Sequence, residues 1–311
     1  MLARHRISFL AVGLCVVGCR FSSSAIRHEA LGDRLYQAGS YARTQAEYQQ
    51  AVNEQPDAAV LRRKLGSTLL RLYRYADAEV QLNRAVKLEP GNTLGHAQLG
   101  LAYLHQDRES DAIAQLTTSL KIKPNAPAYD ALGSIEARHH RWKGAEADYV
   151  AALGISPENT ASLDGLAHAL QEQQKYVDAE RTYAKSLSIR PGNPYALIGF
   201  ATTLFKDGKD EEARKQLARA RRRVGADSTL WNNIAWAELQ GGDYFDARVD
   251  LERSLARRDT GVAHNNHARA LFGLGHKKEA LQEWEQVAST GASRERLEAR
   301  KMVAHPSATA E

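Results

Sequence analysis

The stretch "WNNIAWAELQGGDYFDARVDLERS", residues 231–254, carries the pattern that decides the fold. Trp231, Ile234, Ala235 and the aliphatic stem of Glu238 fall at i, i+3, i+4 and i+7, one face of a helix, while Ala247, Leu251 and Ser254 mark the face of a second. Gly241-Gly242-Asp243 supplies the break between them. The expected unit is a pair of helices.

Outward from this stretch the same pattern returns along the chain. Ala78, Ala112, Ala145, Ala179, Ala213, Ala247 and Ala280 keep one beat, with Thr44 in the first place, and a small residue stands twelve positions before each: Gly32, Gly66, Gly100, Gly133, Ala167, Ala201, Ala235 and Ala268. Pro56, Pro90, Pro124, Pro157 and Pro191 follow at spacings of 34, 34, 33 and 34 residues. Eight units result, each too small to bury a core alone. Glycine inside a helix costs stability, so its return at one offset calls for a packing reason, and close approach of paired helices provides one.

The period, the small residues, the aromatic or leucine at Tyr48, Leu82, Leu116, Tyr149, Tyr183, Leu217, Leu251 and Trp284, and the closing prolines together resemble the tetratricopeptide repeat. The resemblance implies an all-α superhelix, an α-solenoid of about eight helix-turn-helix repeats over residues 25–287. A capping helix and frayed tail are expected over 288–311, where "SRERLEARKMVA", residues 293–304, is charged and amphipathic. Departures are local: Gly225 replaces the proline of unit six, and units seven and eight have none.

Both cysteines of the 311-residue chain lie in "FLAVGLCVVGCRFSSS", residues 9–24. Arg4 and Arg6 precede an apolar run from Ile7 to Val17, too short for a membrane-spanning helix and laid out like a secretory signal. Val16-Val17-Gly18-Cys19 resembles the lipobox of bacterial lipoproteins. That resemblance implies a signal peptide over 1–18, lipid on Cys19 and a short linker to residue 24, the alternative being a cut near Ser24 without lipid. Arg20 stands where an aspartate retains such proteins at the inner membrane, so the expected location is the outer membrane, facing the periplasm. Removing residues 1–18 takes away two arginines and no acid, lowering the formal charge from +5 to +3. So small a charge gives little reason to expect nucleic acid as a partner.

In this family the first helix of each unit lines the concave side, where two apolar zones are expected. One holds Tyr195, Ile198, Phe205, Trp236, Leu239 and Phe272; the other holds Val60, Leu70, Leu94, Leu101 and Leu104. Asp130, Ser134, Arg138, Asp164, His168 and Gln171 form a polar stretch between them, giving a divided groove. Asn232-Asn233 and Asn265-Asn266 repeat at 33 residues, and an asparagine amide grips a peptide backbone by donor and acceptor together. The candidate peptide groove is therefore Tyr195, Phe205, Asn232, Asn233, Trp236, Asn265, Asn266, Arg269 and Phe272.

The lysine-and-asparagine clamp for a terminal carboxylate is not reproduced, since Glu29 and Asp33 occupy unit one. His264 and His267 sit three apart, a spacing compatible with metal, but they fill the slots of Trp231 and Ile234 and read as loosened core positions. Arg219, Arg221, Arg222 and Arg223 close a helix, where cations suit the macrodipole; an acidic lipid or polysaccharide is the other reading. No Walker loop, G-x-S-x-G elbow or H-E-x-x-H helix occurs, so no catalytic residue, metal, cofactor or small-molecule substrate is expected. The reading is a lipid-anchored scaffold for protein segments of the bacterial envelope, serving a pilus, secretion or polysaccharide-export machine. Its alternative is an adaptor of a cell-wall hydrolase that binds through the outer surface.

Overall fold

The computed structural model describes residues 23–290 and 293–304; the expected signal peptide, Cys19 and the final tail lie outside them. Among the described residues there are 17 helices and no strand. The chain divides into two compact units after Ala112. The first contains α1 (Ser23–Gln37), α2 (Tyr41–Glu54), α3 (Ala59–Arg71), α4 (Tyr75–Leu88), α5 (Thr93–Leu104) and the start of α6 (Glu109–Ile122). The second continues from within α6 through α7 (Ala126–Arg138), α8 (Trp142–Ile155), α9 (Thr160–Glu172), α10 (Tyr176–Ile189), α11 (Pro194–Lys206) and α12 (Asp210–Val224). It ends with α13 (Ser228–Gln240), α14 (Tyr244–Leu255), α15 (Gly261–Gly273), α16 (Lys277–Thr290) and α17 (Ser293–Ala304). Helix α1 begins at Ser23, inside the stretch read from sequence as a linker to residue 24.

Small residues position the helix pairs. Thr44 and the seven alanines that share its beat are all buried, as are Tyr48, Leu82, Leu116, Tyr149, Tyr183, Leu217, Leu251 and Trp284. At Gly66 a Cβ would lie 2.5 Å from Cγ of Leu82, closer than packed carbon atoms come, so α3 and α4 require a residue with no side chain there. Enlarging such a site costs about 1–3 kcal/mol in strain. The sequence put Glu238 on this packing face through its stem, but the structure buries its carboxylate as well. Arg221 pairs with Glu238 and reaches Asp250 at 2.9 Å, and Asp250 also meets Arg253 at 2.6 Å. Burial foremost pushes the Glu238 carboxyl up, with Asp250 adding to it and Arg221 opposing.

Each first helix of a pair stops by one device. The N–H groups of Ser40, Arg74, Arg108, Arg141, Lys175, Lys209, Asp243 and His276 each bond to the carbonyl five residues back at 2.9–3.0 Å. The residue just before each donor has positive φ: Gly39, Tyr73, Asp107, His140, Gln174, Gly208, Gly242 and Gly275. This is the Schellman ending, which satisfies carbonyls left open at a helix terminus. The second helices stop differently. α2, α4, α6, α8 and α10 end two residues before Pro56, Pro90, Pro124, Pro157 and Pro191, because a residue preceding proline is pushed out of the α region.

Polar staples tie neighbouring pairs together within the second unit. Asp130 on α7 accepts from Oγ of Ser162 at 2.5 Å and Nδ2 of Asn159 at 2.6 Å, while the Asn159 carbonyl caps α9 through the N–H of Ala161. One pair further on, Asp164 accepts from Ser186 at 2.5 Å and Asn193 at 2.7 Å, and Asn193 caps α11. Burial raises the pKa of both aspartates, and these hydrogen bonds oppose the rise. The sequence placed Asp130 and Asp164 in a polar groove; they serve instead as joints between helices. In the first unit Lys64 bridges Glu29 and Asp33 at 2.7 Å each, and Tyr48 donates to Asp33 at 2.6 Å.

Four of the eight positive-φ corners carry side chains, although that region costs an L-residue about 1 kcal/mol. Gln174→Gly is expected to raise stability by about 0.5–1 kcal/mol, seen as a higher urea midpoint with unchanged helical circular dichroism.

Candidate functional site

The second unit holds a cavity of about 610 Å³ walled by first helices α9, α11 and α13, with the first residue of α8 and Tyr183 from the middle of α10. Tyr195 at the start of α11 and Trp236 on α13 remain 57% and 38% exposed, which makes them available faces. Trp142, the first residue of α8, stands edge-on to His168 at 5.4 Å. His140, Gln171, Lys206, Asn233 and Gln240 add polar atoms. The divided groove expected from sequence is therefore not observed here: His168 and Gln171 share one cavity with Tyr195 and Trp236.

The polar groups in this cavity fall into two kinds. Gln171 is fixed, since its carbonyl accepts from Thr203 at 2.8 Å and its amide donates to Glu172 at 3.0 Å. Lys206 is neutralised by Glu172 at 2.9 Å. Burial works against the charge of Glu172, but the hydrogen bonds from Lys206 and Gln171 outweigh it and hold the carboxyl below its ordinary value. By contrast, the Asn233 amide has no hydrogen-bond partner among the described residues, and neither do the ring nitrogens of His168. His168 keeps part of its surface in contact with solvent, but desolvation by the surrounding wall, with Lys206 and His140 nearby, pushes its pKa down despite the pull of Glu172. His168 is thus a neutral imidazole at pH 7, offering one donor and one acceptor.

Several expected groove residues are elsewhere. Phe205 is 6% exposed and belongs to the apolar core with Tyr183, Leu204 and Leu217; its ring occupies the space that a Cβ on Gly241 would need. Asn265 and Asn266 are 4% and 8% exposed. Asn265 donates to the backbone carbonyl of Glu295 on α17 at 3.3 Å, and Asn266 donates to the side-chain carbonyl of Asn232 at 3.1 Å. Three of the four asparagines are therefore spent inside the protein, and Asn233 alone faces the cavity. The packing of α17 across α15 removes Asn265 from solvent, as the sequence spacing could not show.

Arg269 and Phe272 line a second cavity of about 270 Å³ with Trp236, Leu239 and Tyr244. His264 and His267 share one acid: Glu283 meets the Nδ1 atoms of both, at 2.5 and 2.8 Å, and Asp259 reaches Nε2 of His264 at 2.9 Å. Both rings are hydrogen-bonded to carboxylates, not the loosened core the sequence implied. No cluster of three or more residues able to hold a metal occurs among the described residues. Trp142, Thr202, Lys206 and Gln240 were missed from sequence. Trp142 opens a second helix, the class of helix that the family pattern assigns away from the groove.

Tetratricopeptide repeat models match residues 29–93, 63–127 and 170–236, together more than half of the chain. The chain belongs to the tetratricopeptide repeat family. Similar solved structures include a tetratricopeptide repeat protein from Parabacteroides merdae, 16% identical with a TM-score of 0.58 over 80% of this chain and 100% of that one. A chain of the APC/C hetero-tetramer Cut9–Hcn1 is 15% identical with a TM-score of 0.64; 80% of this chain is covered, but only 53% of that one. Pseudomonas aeruginosa pilF is 18% identical with a TM-score of 0.54 over 65% of this chain and 92% of that one. These likenesses show the fold. No curated protein matches the sequence.

The depressed pKa of His168 has a consequence for stability. Below its ordinary value of 6.5 the unfolded chain binds a proton that the folded chain resists, so the contribution of His168 is present above pH 6.5 and is lost as pH falls toward its folded value. His168→Gln is expected to flatten the acid side of the stability profile in that window, measured by urea unfolding at stepped pH.

Proposed function

We propose that this protein is a non-catalytic scaffold that captures extended segments of other proteins in the cavity between α9, α11 and α13. The observation that carries the reading is the composition of that cavity. Exposed aromatic faces at Tyr195 and Trp236 stand beside the unpartnered amide of Asn233 and the neutral ring of His168. Aromatic faces supply contact area at small conformational cost, and a neutral donor–acceptor pair reads a peptide backbone whatever its sequence. The one ion pair in the wall, Lys206 with Glu172, cancels itself and adds no net charge.

The lipobox-like Val16-Val17-Gly18-Cys19 supports placing this scaffold on a membrane by lipid at Cys19, at the outer membrane and facing the periplasm. Each buried methylene of such an anchor contributes about 0.8 kcal/mol, and more than one chain makes it stable. Among the described residues no helix is long and apolar enough to cross a membrane. Tethering concentrates the scaffold where envelope machines assemble, so modest intrinsic affinity suffices. The role we assign is support for a pilus, secretion or polysaccharide-export assembly.

Capture through the groove and attachment through lipid are tested separately. A photo-crosslinking residue at Tyr195 is expected to trap an envelope protein in cells, whereas the same residue at Val177, exposed on second helix α10, traps none. Trp236→Ala is expected to weaken the captured segment's binding by at least tenfold, the scale of a buried aromatic anchor. The reverse pattern, with adducts at Val177 and an indifferent Trp236, would establish the hydrolase-adaptor reading instead. Cys19→Ala is expected to move the chain from the membrane to the soluble fraction on centrifugation; unaltered sedimentation would refute the anchor.

A further inference from the structure

We propose that Arg269 is the seat for an acidic side chain of the captured segment, an inference that rests on the peptide-capture reading above. Four other cations of the second unit are answered from within the protein. Lys206 has Glu172, Lys209 has Glu180, Arg214 has Asp243 and Arg221 has Asp250, at 2.8–2.9 Å. Arg269 has neither an ion pair nor a hydrogen bond among the described residues, and its Nε is buried without a partner. Only the longer-range field of Glu298 on α17 acts in its favour, against a larger penalty from burial. Arg269 is half-buried, with its Nε shut off from water, and a carboxylate arriving at the accessible edge of the guanidinium offsets the cost of holding that charge there.

The surroundings define what that carboxylate looks like. The guanidinium lies over the ring of Trp236, 5.3 Å from its centroid, so the stem and face are held while in-plane N–H groups remain for a ligand. Trp236, Leu239, Tyr244 and Phe272 wall the 270 Å³ cavity, and no carboxylate lines it. One cation among apolar walls suits one negative charge on a short aliphatic stem. A phosphate, carrying nearly two charges, calls for a cluster of cations that is not present.

Position ties this seat to the larger cavity. Trp236 and Gln240 line both, so the two spaces meet at the Trp236 ring. A segment whose backbone lies against Asn233 and Tyr195 is within one side chain of Arg269 past that ring. The occupant is therefore an internal Asp or Glu of an extended peptide, with its apolar neighbours on Trp236 and Phe272.

The test uses the full chain immobilised and a positional-scanning library of acetylated, amidated nonamers, with each position fixed in turn as Glu or as Gln. The expected result is that one position favours Glu over Gln by about tenfold, the value of one charge-assisted hydrogen bond of about 1.4 kcal/mol. In Arg269→Gln and Arg269→Met that ratio, read among the peptides each variant still retains, is expected to fall to near one. A native chain that retains peptides without preferring Glu at any position overturns this seat and leaves the capture reading standing. A preference that survives both variants, or one that appears only when the nonamers end in a free carboxylate, also overturns it. Retention of no pool at all overturns the capture reading and this inference with it. The Glu-to-Gln ratio of the native chain is decisive whatever the stability of the variants.

Discussion

The structure depends on one steric constraint: two helices of a pair approach so closely that the contact point admits nothing larger than a methyl group on one of them, and in some pairs not even that. Gly66 against Leu82 shows this most directly, because a methyl group at Gly66 would overlap the leucine branch. The same offset is filled by alanine at Ala167, Ala201, Ala235 and Ala268, all without exposure, where the facing residue leaves room for one carbon. Close approach buries the large residues on the second helices. It also leaves the outer faces of the first helices free to meet the next pair or a ligand. Stability in such an array comes from within each pair and between nearest neighbours, so no distant contact is required to hold it.

How far this was legible in the sequence follows from what each residue depends on. Ala247 and Leu251 could be placed because burial within a pair is set by the local 3.6-residue period. The break after Gln240 was visible for the same reason, since a Schellman ending involves only the residues around it. Phe205 and Asn265 were misplaced because their fate is decided by a neighbour. Phe205 turns inward where Gly241 leaves space for its ring, and Asn265 disappears beneath α17. A sequence period records which helix face a residue occupies, but not what the following helix lays over that face. Trp142 escaped for a related reason: it starts a second helix, yet its ring reaches the cavity beside His168.

The candidate site combines a rigid wall with a few uncommitted polar atoms. Gln171 is held by Thr203 and Glu172, so its geometry does not adjust to an arriving ligand. Asn233 and His168 are free of such ties and neutral, which lets them exchange water for backbone groups without moving charge into the cavity. That separation lets one groove grip main chain without reading its sequence, and leaves discrimination to the side-chain spaces at its edges.

The two polar staples differ in how they withstand time. Deamidation of an asparagine begins when the nitrogen of the next residue attacks the side-chain amide. Asn193 precedes Pro194, whose nitrogen carries no hydrogen, and the cyclic imide cannot form there. Asn159 precedes Thr160 and lacks that protection, so it relies on being held at both ends, by Asp130 and by the N–H of Ala161. Once converted to aspartate it would set a second carboxylate 2.6 Å from a buried first, and the joint would become a point of repulsion. Of these two joints, the one between α7 and α9 is therefore open to chemical ageing by this route and the next one is spared.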